Sequence, residues 1–169
     1  MRFIFTNVIA AGQIDWKQPM TAPNQPAIRE AFLIHTDAEL ETIGEGSPVE
    51  RSDWLGAYSS AIGAGAIVVG HSVEYHHGHL RAAMLARGID PHDGRVNTIC
   101  TMFALTGHVP KQNGRKGWPS FGDVCTHYGI TRAGEESAED NARCLREAFR
   151  TMMLAGIVPE PKIWKERNA

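Results

Sequence analysis

The chain has 169 residues and a formal net charge of −2, and 43% of its residues are hydrophobic and 21% charged. These values suit one globular domain; they exclude an intrinsically disordered chain and a polycation that binds nucleic acid through its overall charge. No apolar run approaches the roughly 20 residues that cross a bilayer, so we expect no membrane association. The three cysteines are widely spaced and form no CxxC motif, which favours reduced thiols and a cytoplasmic location.

Hydrophobic periodicity and turn residues predict a chain in which strands and helices alternate. In chain order the predicted elements are strands over 2–9, 27–37 and 39–46, a helix over 53–62, a strand over 66–70, a helix over 72–87, a strand over 97–100, and helices over 101–107, 120–128 and 137–155. Ser52 is a candidate N-cap for the first helix, and Gly88 is a stop signal for the second.

The order of these elements indicates the class of fold. Three strands, followed by helices that alternate with two more strands, predict an α/β fold with a mixed five-stranded sheet flanked by helices. We expect one domain over residues 1–157 and a loosely held C-terminal tail over 158–169. Because strand side chains alternate, Asn7 and Ile9 share one face of the first strand with two phenylalanines.

Four stretches carry a resemblance to a known family. They are, in chain order, GHSVEYHHGHL, ICTMFAL, KGWPSFGDVCTHYGI and ESAEDNARCLREAF. Together with the first strand they resemble the motifs of the DnaQ-like 3'–5' exonucleases of the DEDD superfamily, which have an RNase H-like fold. The resemblance covers roughly residues 2–155. It implies an exonuclease-like fold and a site at which the family holds two divalent ions.

The residues that the family uses for catalysis are replaced at most matching positions. The resemblance implies four acids that hold two metal ions and a His that acts as general base. This sequence has Asn7 and Ile9 for the first two acids, His76 for the third, Asp140 for the fourth, and Glu135 for the His. Losing even a group that supports a metal ligand costs about 10–100-fold in affinity or activity. We therefore expect no catalytic residues and no cofactor.

Two surviving polar residues have alternative interpretations. Ser137 and Asp140 have the spacing of a helix capping box, and His76 has the spacing of a partly buried helix residue. The alternative is a single divalent ion (Mn²⁺, Zn²⁺ or Mg²⁺) held by His76 and Asp140, with Asn7 as a weak third group. That alternative predicts a metal-dependent exonuclease with an atypical site.

Two basic segments are candidate binding surfaces for single-stranded nucleic acid or a protein partner. The first is a glycine-rich loop with a terminal aromatic residue: Lys111, Arg115, Lys116 and Trp118. It could contact phosphate and stack a base, or it could be a solvated turn with the Trp packed on the core. The second is a cationic stripe on the last helix: Arg143, Arg146 and Arg150. Glu139 and Glu147 offer this stripe partial pairing.

The sequence thus predicts a catalytically inactive exonuclease-like protein that acts by binding. Its expected ligand is a protein partner or a single-stranded nucleic-acid end. By analogy with short members of the family, we expect a bacterial protein or a phage protein in its bacterial host. A phage-encoded decoy or inhibitor of host nucleic-acid machinery would fit these features.

Overall fold

The computed structural model describes residues 1–15, 17–18, 22, 25–49, 51, 53–111, 113–114, 116–133 and 137–165. The elements are β1 (Phe3–Ala10), β2 (Ile28–Thr36), β3 (Thr42–Gly46), α1 (Asp53–Gly63), β4 (Ile67–Gly70), α2 (Val73–Leu85), β5 (Asn97–Cys100), α3 (Thr101–Ala104), α4 (Phe121–Tyr128), α5 (Ala138–Leu154) and β6 (Lys162–Ile163). Every predicted strand and helix is present. Ser52, the candidate N-cap of α1, lies outside the described residues.

The strands form one mixed sheet with the order β3-β2-β1-β4-β5-β6. β1, β2 and β3 form an antiparallel meander, whereas β1, β4 and β5 are parallel. Parallel neighbours require crossover connections, and α1 and α2 supply the helices of these connections. The predicted α/β class is confirmed, with six strands in the sheet instead of five.

The additional strand lies in the segment that we expected to be a loose tail. Lys162 and Ile163 pair antiparallel with the start of β5. Trp164 follows them and is only 4% exposed, because its ring packs against His77 at 4.8 Å and under the guanidinium of Arg81 at 5.7 Å. Two strand residues are too few to show an alternating pattern, so periodicity could not reveal this pairing.

Two predicted elements are shorter than expected. β3 begins at Thr42, because residues 37–41 form a loop in which Asp37 Oδ1 accepts hydrogen bonds from the N–H groups of Glu39 and Glu41. The helix predicted over 101–107 ends at Ala104 and continues as turns. Both boundaries are set by local hydrogen bonding that the hydrophobic pattern does not report.

The sheet has a buried core on each face. Phe3 and Phe5 lie on one side of β1, where their rings pack on Phe149 of α5 at 5.2 and 5.5 Å. Ile4 and Val8 lie on the other side, in the core that includes residues of α1 and α2. The predicted alternation along β1 is therefore confirmed, and it aims Asn7 and Ile9 at the same side as the phenylalanines.

Candidate functional site

A cavity of about 320 Å³ opens beside the carboxyl-terminal half of β1. β1, α2, the start of α4, the loop before α5 and α5 itself all contribute to it. Its lining is Asn7, Val8, Ile9, His76, Ser120, Phe121, Gly122, Arg132 and Asn141. This set contains one cationic side chain and no carboxylate among the described residues. The cavity is therefore the place where the resemblance predicts a metal site, with a different set of functional groups.

Asn7 and Ile9 both reach this cavity, as the alternation of β1 predicts. Asn7 is 7% exposed, and its Oδ1 atom has no hydrogen-bond partner among the described residues. A buried acceptor without a donor is uncommon in folded proteins. Ile9 contributes only an aliphatic surface.

His76 is held by hydrogen bonds at both ring nitrogens. Its Nδ1 accepts from the Val8 N–H at 3.0 Å, and its Nε2 donates to the carbonyl oxygen of His71 at 2.9 Å. Burial lowers the pKa of His76 to about 4, so the ring is neutral near pH 7. In this arrangement no ring lone pair remains for a metal ion.

Asp140 does not line the cavity; Asn141 does. The Asp140 Oδ1 atom accepts from the Ala133 N–H at 3.1 Å, and its own N–H donates to the Ser137 Oγ at 3.0 Å. Ser137 is thus the N-cap of α5, as its spacing predicts. The residue after Asp140 reaches the cavity instead, because neighbouring helix residues point about 100° apart.

A helical signal could have identified Asn141. It lies three residues after Ala138 and four before Leu145, and this spacing places it on the same face of the helix as these two apolar residues, which are buried. Asn141 is accordingly 4% exposed and sits on the cavity side of α5. The α5 side chain that lines the cavity is therefore an amide and not a carboxylate.

Arg132 is another lining residue that the sequence did not single out. Its Nη2 donates to the Asn141 Oδ1 at 2.9 Å, and its guanidinium lies 6.0 Å from the centre of the Phe121 ring. It comes from the irregular segment before α5, where neither periodicity nor a motif draws attention to one arginine. Only the path of the chain brings its charge to the cavity.

The described residues that line the cavity do not fit a divalent ion, because none of them is a carboxylate. Within the described part of the chain, no group of three or more His, Cys, Asp or Glu side chains could hold a metal. Glu30 of β2 is the register partner of Ile9, and its Oε2 accepts from the Ala138 N–H at the start of α5. The predicted single ion at His76 and Asp140 therefore has no support in the geometry. Glu135, at the general-base position, lies outside the described residues.

The basic loop before α4 presents an exposed aromatic pair. Trp118 is 57% exposed and meets Phe103, itself 41% exposed, edge to face at 5.1 Å. The alternative in which Trp118 packs on the core is wrong, and Phe103 is a partner that the sequence did not reveal. Lys111 is half-buried and Lys116 is exposed, whereas Arg115 lies outside the described residues.

Hydrogen bonds tie the end of this loop to the cavity. His71 Nε2 lies 3.0 Å from the Pro119 carbonyl oxygen, and its Nδ1 lies 3.1 Å from Thr101 Oγ1. Pro119 directly follows Trp118, and Ser120 directly precedes α4 and lines the cavity. Trp118, one member of the aromatic pair, therefore lies two residues before Ser120 in the wall of the cavity.

The cationic stripe on α5 is largely paired with acids. Arg143 contacts Glu45 of β3 at 2.6 Å and Glu139 at 2.9 Å. Arg146 lies 3.5 Å from Glu147 and also bonds Thr42, and Arg150 lies 3.8 Å from Glu147. These contacts tie α5 to the edge strand β3. A binding role for the stripe stays a prediction, and its contacts favour a structural one.

Replacing Arg143 by Ala should lower the free energy of unfolding by no more than about 1 kcal/mol, because partly exposed ion pairs are screened by water. The measurement is urea unfolding, with Arg87→Ala as control, since Arg87 bonds only the nearby Ala83 carbonyl among the described residues. A loss above about 3 kcal/mol would show instead that the pair behaves as a buried one.

The sheet order, the flanking helices and the cavity beside β1 define the fold of the DnaQ-like 3'–5' exonucleases. Escherichia coli exonuclease I in complex with a dT13 oligonucleotide matches with a TM-score of 0.64 and 13% identity, over 89% of this chain and 40% of that chain. Exonuclease I from Methylocaldum szegediense matches with a TM-score of 0.64 and 14% identity, over 90% and 40%. This chain thus spans about two fifths of these exonuclease I chains.

A smaller protein matches over nearly its whole length. The nuclease domain of 3'hExo, a DEDDh family member bound to rAMP, has a TM-score of 0.62 and 10% identity over 98% of this chain and 96% of that chain. No family model and no curated protein matches the sequence. Within the described residues, no helix has the length and apolar character required to cross a membrane.

Proposed function

We propose that this protein is a catalytically inactive member of the exonuclease fold that binds single-stranded nucleic acid. The observation that carries the proposal is the lining of the cavity beside β1, where the described residues supply amides, an aliphatic group, a neutral imidazole and a guanidinium. Two-metal phosphodiester hydrolysis needs carboxylates to hold and neutralise the dications. A guanidinium in the same cavity repels them.

Two features support the binding of a single strand. The pair Phe103–Trp118 is an exposed aromatic surface with Lys116 close in the chain, and bases stack on such surfaces without sequence preference. The structural neighbours include exonuclease I in complex with dT13 and with dA16. That this chain binds the same kind of ligand, a single-stranded oligonucleotide, is part of the proposal.

The rival function is a metal-dependent exonuclease with one ion at His76 and Asp140. It requires His76 to release a hydrogen bond and Asp140 to turn from Ala133 toward the cavity. A phage-encoded decoy in the bacterial cytoplasm would bind its ligand without cleaving it. The complex of exonuclease I with SSB-Ct shows that a neighbour of this fold also takes a protein partner.

Incubation of a 5'-labelled dT oligonucleotide of about 15 nucleotides with Mg²⁺, Mn²⁺ or Zn²⁺ should leave the strand intact. The same oligonucleotide should bind in EDTA, as measured by fluorescence anisotropy. The double replacement Phe103→Ala and Trp118→Ala should weaken binding about tenfold or more, because stacking contributes about 1–3 kcal/mol per base.

Leu154→Ala is the matched control, since Leu154 is an apolar side chain that is 85% exposed on another element. Trimming that needs metal and disappears in Asp140→Ala would establish the rival function. If the oligonucleotide does not bind, or binds the double variant equally well, the aromatic pair is not the binding surface.

A further inference from the structure

The cavity beside β1 brings three kinds of anion-binding group together. The guanidinium of Arg132 reaches it from one side, and the first turn of α4 forms another part of its wall. The amide side chains of Asn7 and Asn141 complete the polar lining. These are groups that bind phosphate oxygens in proteins without help from a metal.

The start of α4 carries a capping box formed by Ser120 and Asp123, which leaves the N–H groups between them for other partners. Ser120 is the N-cap, and its Oγ accepts from the Asp123 N–H at 3.1 Å. The N–H groups of Phe121 and Gly122, in the same turn, have no carbonyl of their own helix to bond. Asp123 directs its carboxylate at the Ser120 N–H and Oγ, at 2.8 and 2.7 Å, and does not line this cavity.

An independent observation at the same cavity indicates a ligand. The Oδ1 atom of Asn7 is a buried acceptor without a donor among the described residues, on a side chain that is only 7% exposed. A hydroxyl of a bound nucleotide would satisfy it. The volume of about 320 Å³ is at the lower end of the range of small-molecule sites, about 300–1,000 Å³.

We propose that this cavity binds a phosphate group of a nucleotide or of a single-stranded nucleic acid directly, without a metal ion. Arg132 and the N–H groups of Phe121 and Gly122 hold the phosphate oxygens, and Asn7 accepts from a neighbouring hydroxyl. The inference rests on the proposed function for the identity of its larger ligand. The resemblance implies carboxylates that bind dications in this cavity. The cavity has instead the fixed positive charge of Arg132, which attracts a phosphate.

The test is calorimetric titration with inorganic phosphate, thymidine 5'-monophosphate, thymidine 3'-monophosphate and thymidine, all in EDTA. The monophosphates should bind and thymidine should not, and inorganic phosphate should compete with them. Arg132→Gln should weaken nucleotide binding about tenfold or more, since charge-assisted hydrogen bonds are about twice as strong as neutral ones. Arg132→Lys should restore part of the affinity.

Arg95→Gln is the control, because Arg95 is an exposed cation just before β5, at the opposite end of the parallel strands. A second readout is the amide NMR spectrum, in which phosphate should shift Phe121 and Gly122 and leave Gly156 unchanged. These shifts test the site in the unmodified protein.

Equal nucleotide affinity in Arg132→Gln, or binding that appears only when Mg²⁺ is added, would overturn the inference. The outcomes also separate it from the proposed function. An oligonucleotide that binds equally to wild type and Arg132→Gln leaves the proposed function standing and refutes the phosphate site. Monophosphates that bind through Arg132, with no oligonucleotide binding, confirm the site and refute the proposed function.

Discussion

Acidification from pH 7 to pH 5 should lower the free energy of unfolding by at least about 4 kcal/mol. His76 and His77 are buried in the fold, and burial lowers their pKa values from 6.5 to about 4 and about 3. The unfolded chain therefore binds more protons than the folded chain below pH 6.5. The stability that depends on neutral rings is complete above pH 6.5 and is lost as the pH falls, by about 2 kcal/mol for each ring at pH 5.

The measurement is urea unfolding at pH 7 and pH 5. His76→Gln keeps a donor and an acceptor but does not titrate, so its loss of stability between pH 7 and pH 5 should be smaller by about 2 kcal/mol. Burial also lowers the pKa values of His35, His71 and His79, which add to the loss in both proteins. His108→Gln, at an exposed position, should behave like wild type. Asp53 and Asp93 do not interfere, because their pKa values are lowered below 3.8 and they act only at lower pH. Equal stability at pH 7 and pH 5 would show that these rings are not buried in the neutral form.

Phe149→Ala should lower the free energy of unfolding by about 3–5 kcal/mol. Phe149 is fully buried in the middle of α5, and its ring contacts Phe3 and Phe5 of β1. Its removal leaves a cavity between the helix and the central strand, which the rigid sheet cannot close. The loss is a large part of the total stability of a domain, about 5–15 kcal/mol.

Chemical denaturation monitored by circular dichroism measures this loss. Met153→Ala is the matched control on the same helix, because Met153 is 40% exposed and should change stability by no more than about 0.5 kcal/mol. Similar losses in the two variants would contradict the assignment of Phe149 to the core between α5 and β1.

Most of the fold could be predicted from local patterns. The alternation of Phe3, Phe5 and Asn7 along β1 and the apolar run of β4 depend on periods that any buried strand must follow. The N-cap Ser137 likewise depends on neighbours in the same turn. The pairing of β6 with β5 could not be predicted, because it joins two residues to a strand more than 60 positions away and is held by the burial of Trp164.

For the cavity beside β1, the contribution of the sequence and that of the tertiary structure can be separated residue by residue. The sequence by itself determined that Asn7 and Ile9 share one face of β1, because strand side chains alternate. That Asn7, Ile9 and His76 stand where the exonuclease resemblance implies acids stays a prediction. Only the tertiary structure decided that Asn141, and not Asp140, lines the cavity and that Arg132 enters it. The physical reason is that helix rotation about one residue and the path of an irregular loop are set by packing against the sheet, which no local pattern in the chain records.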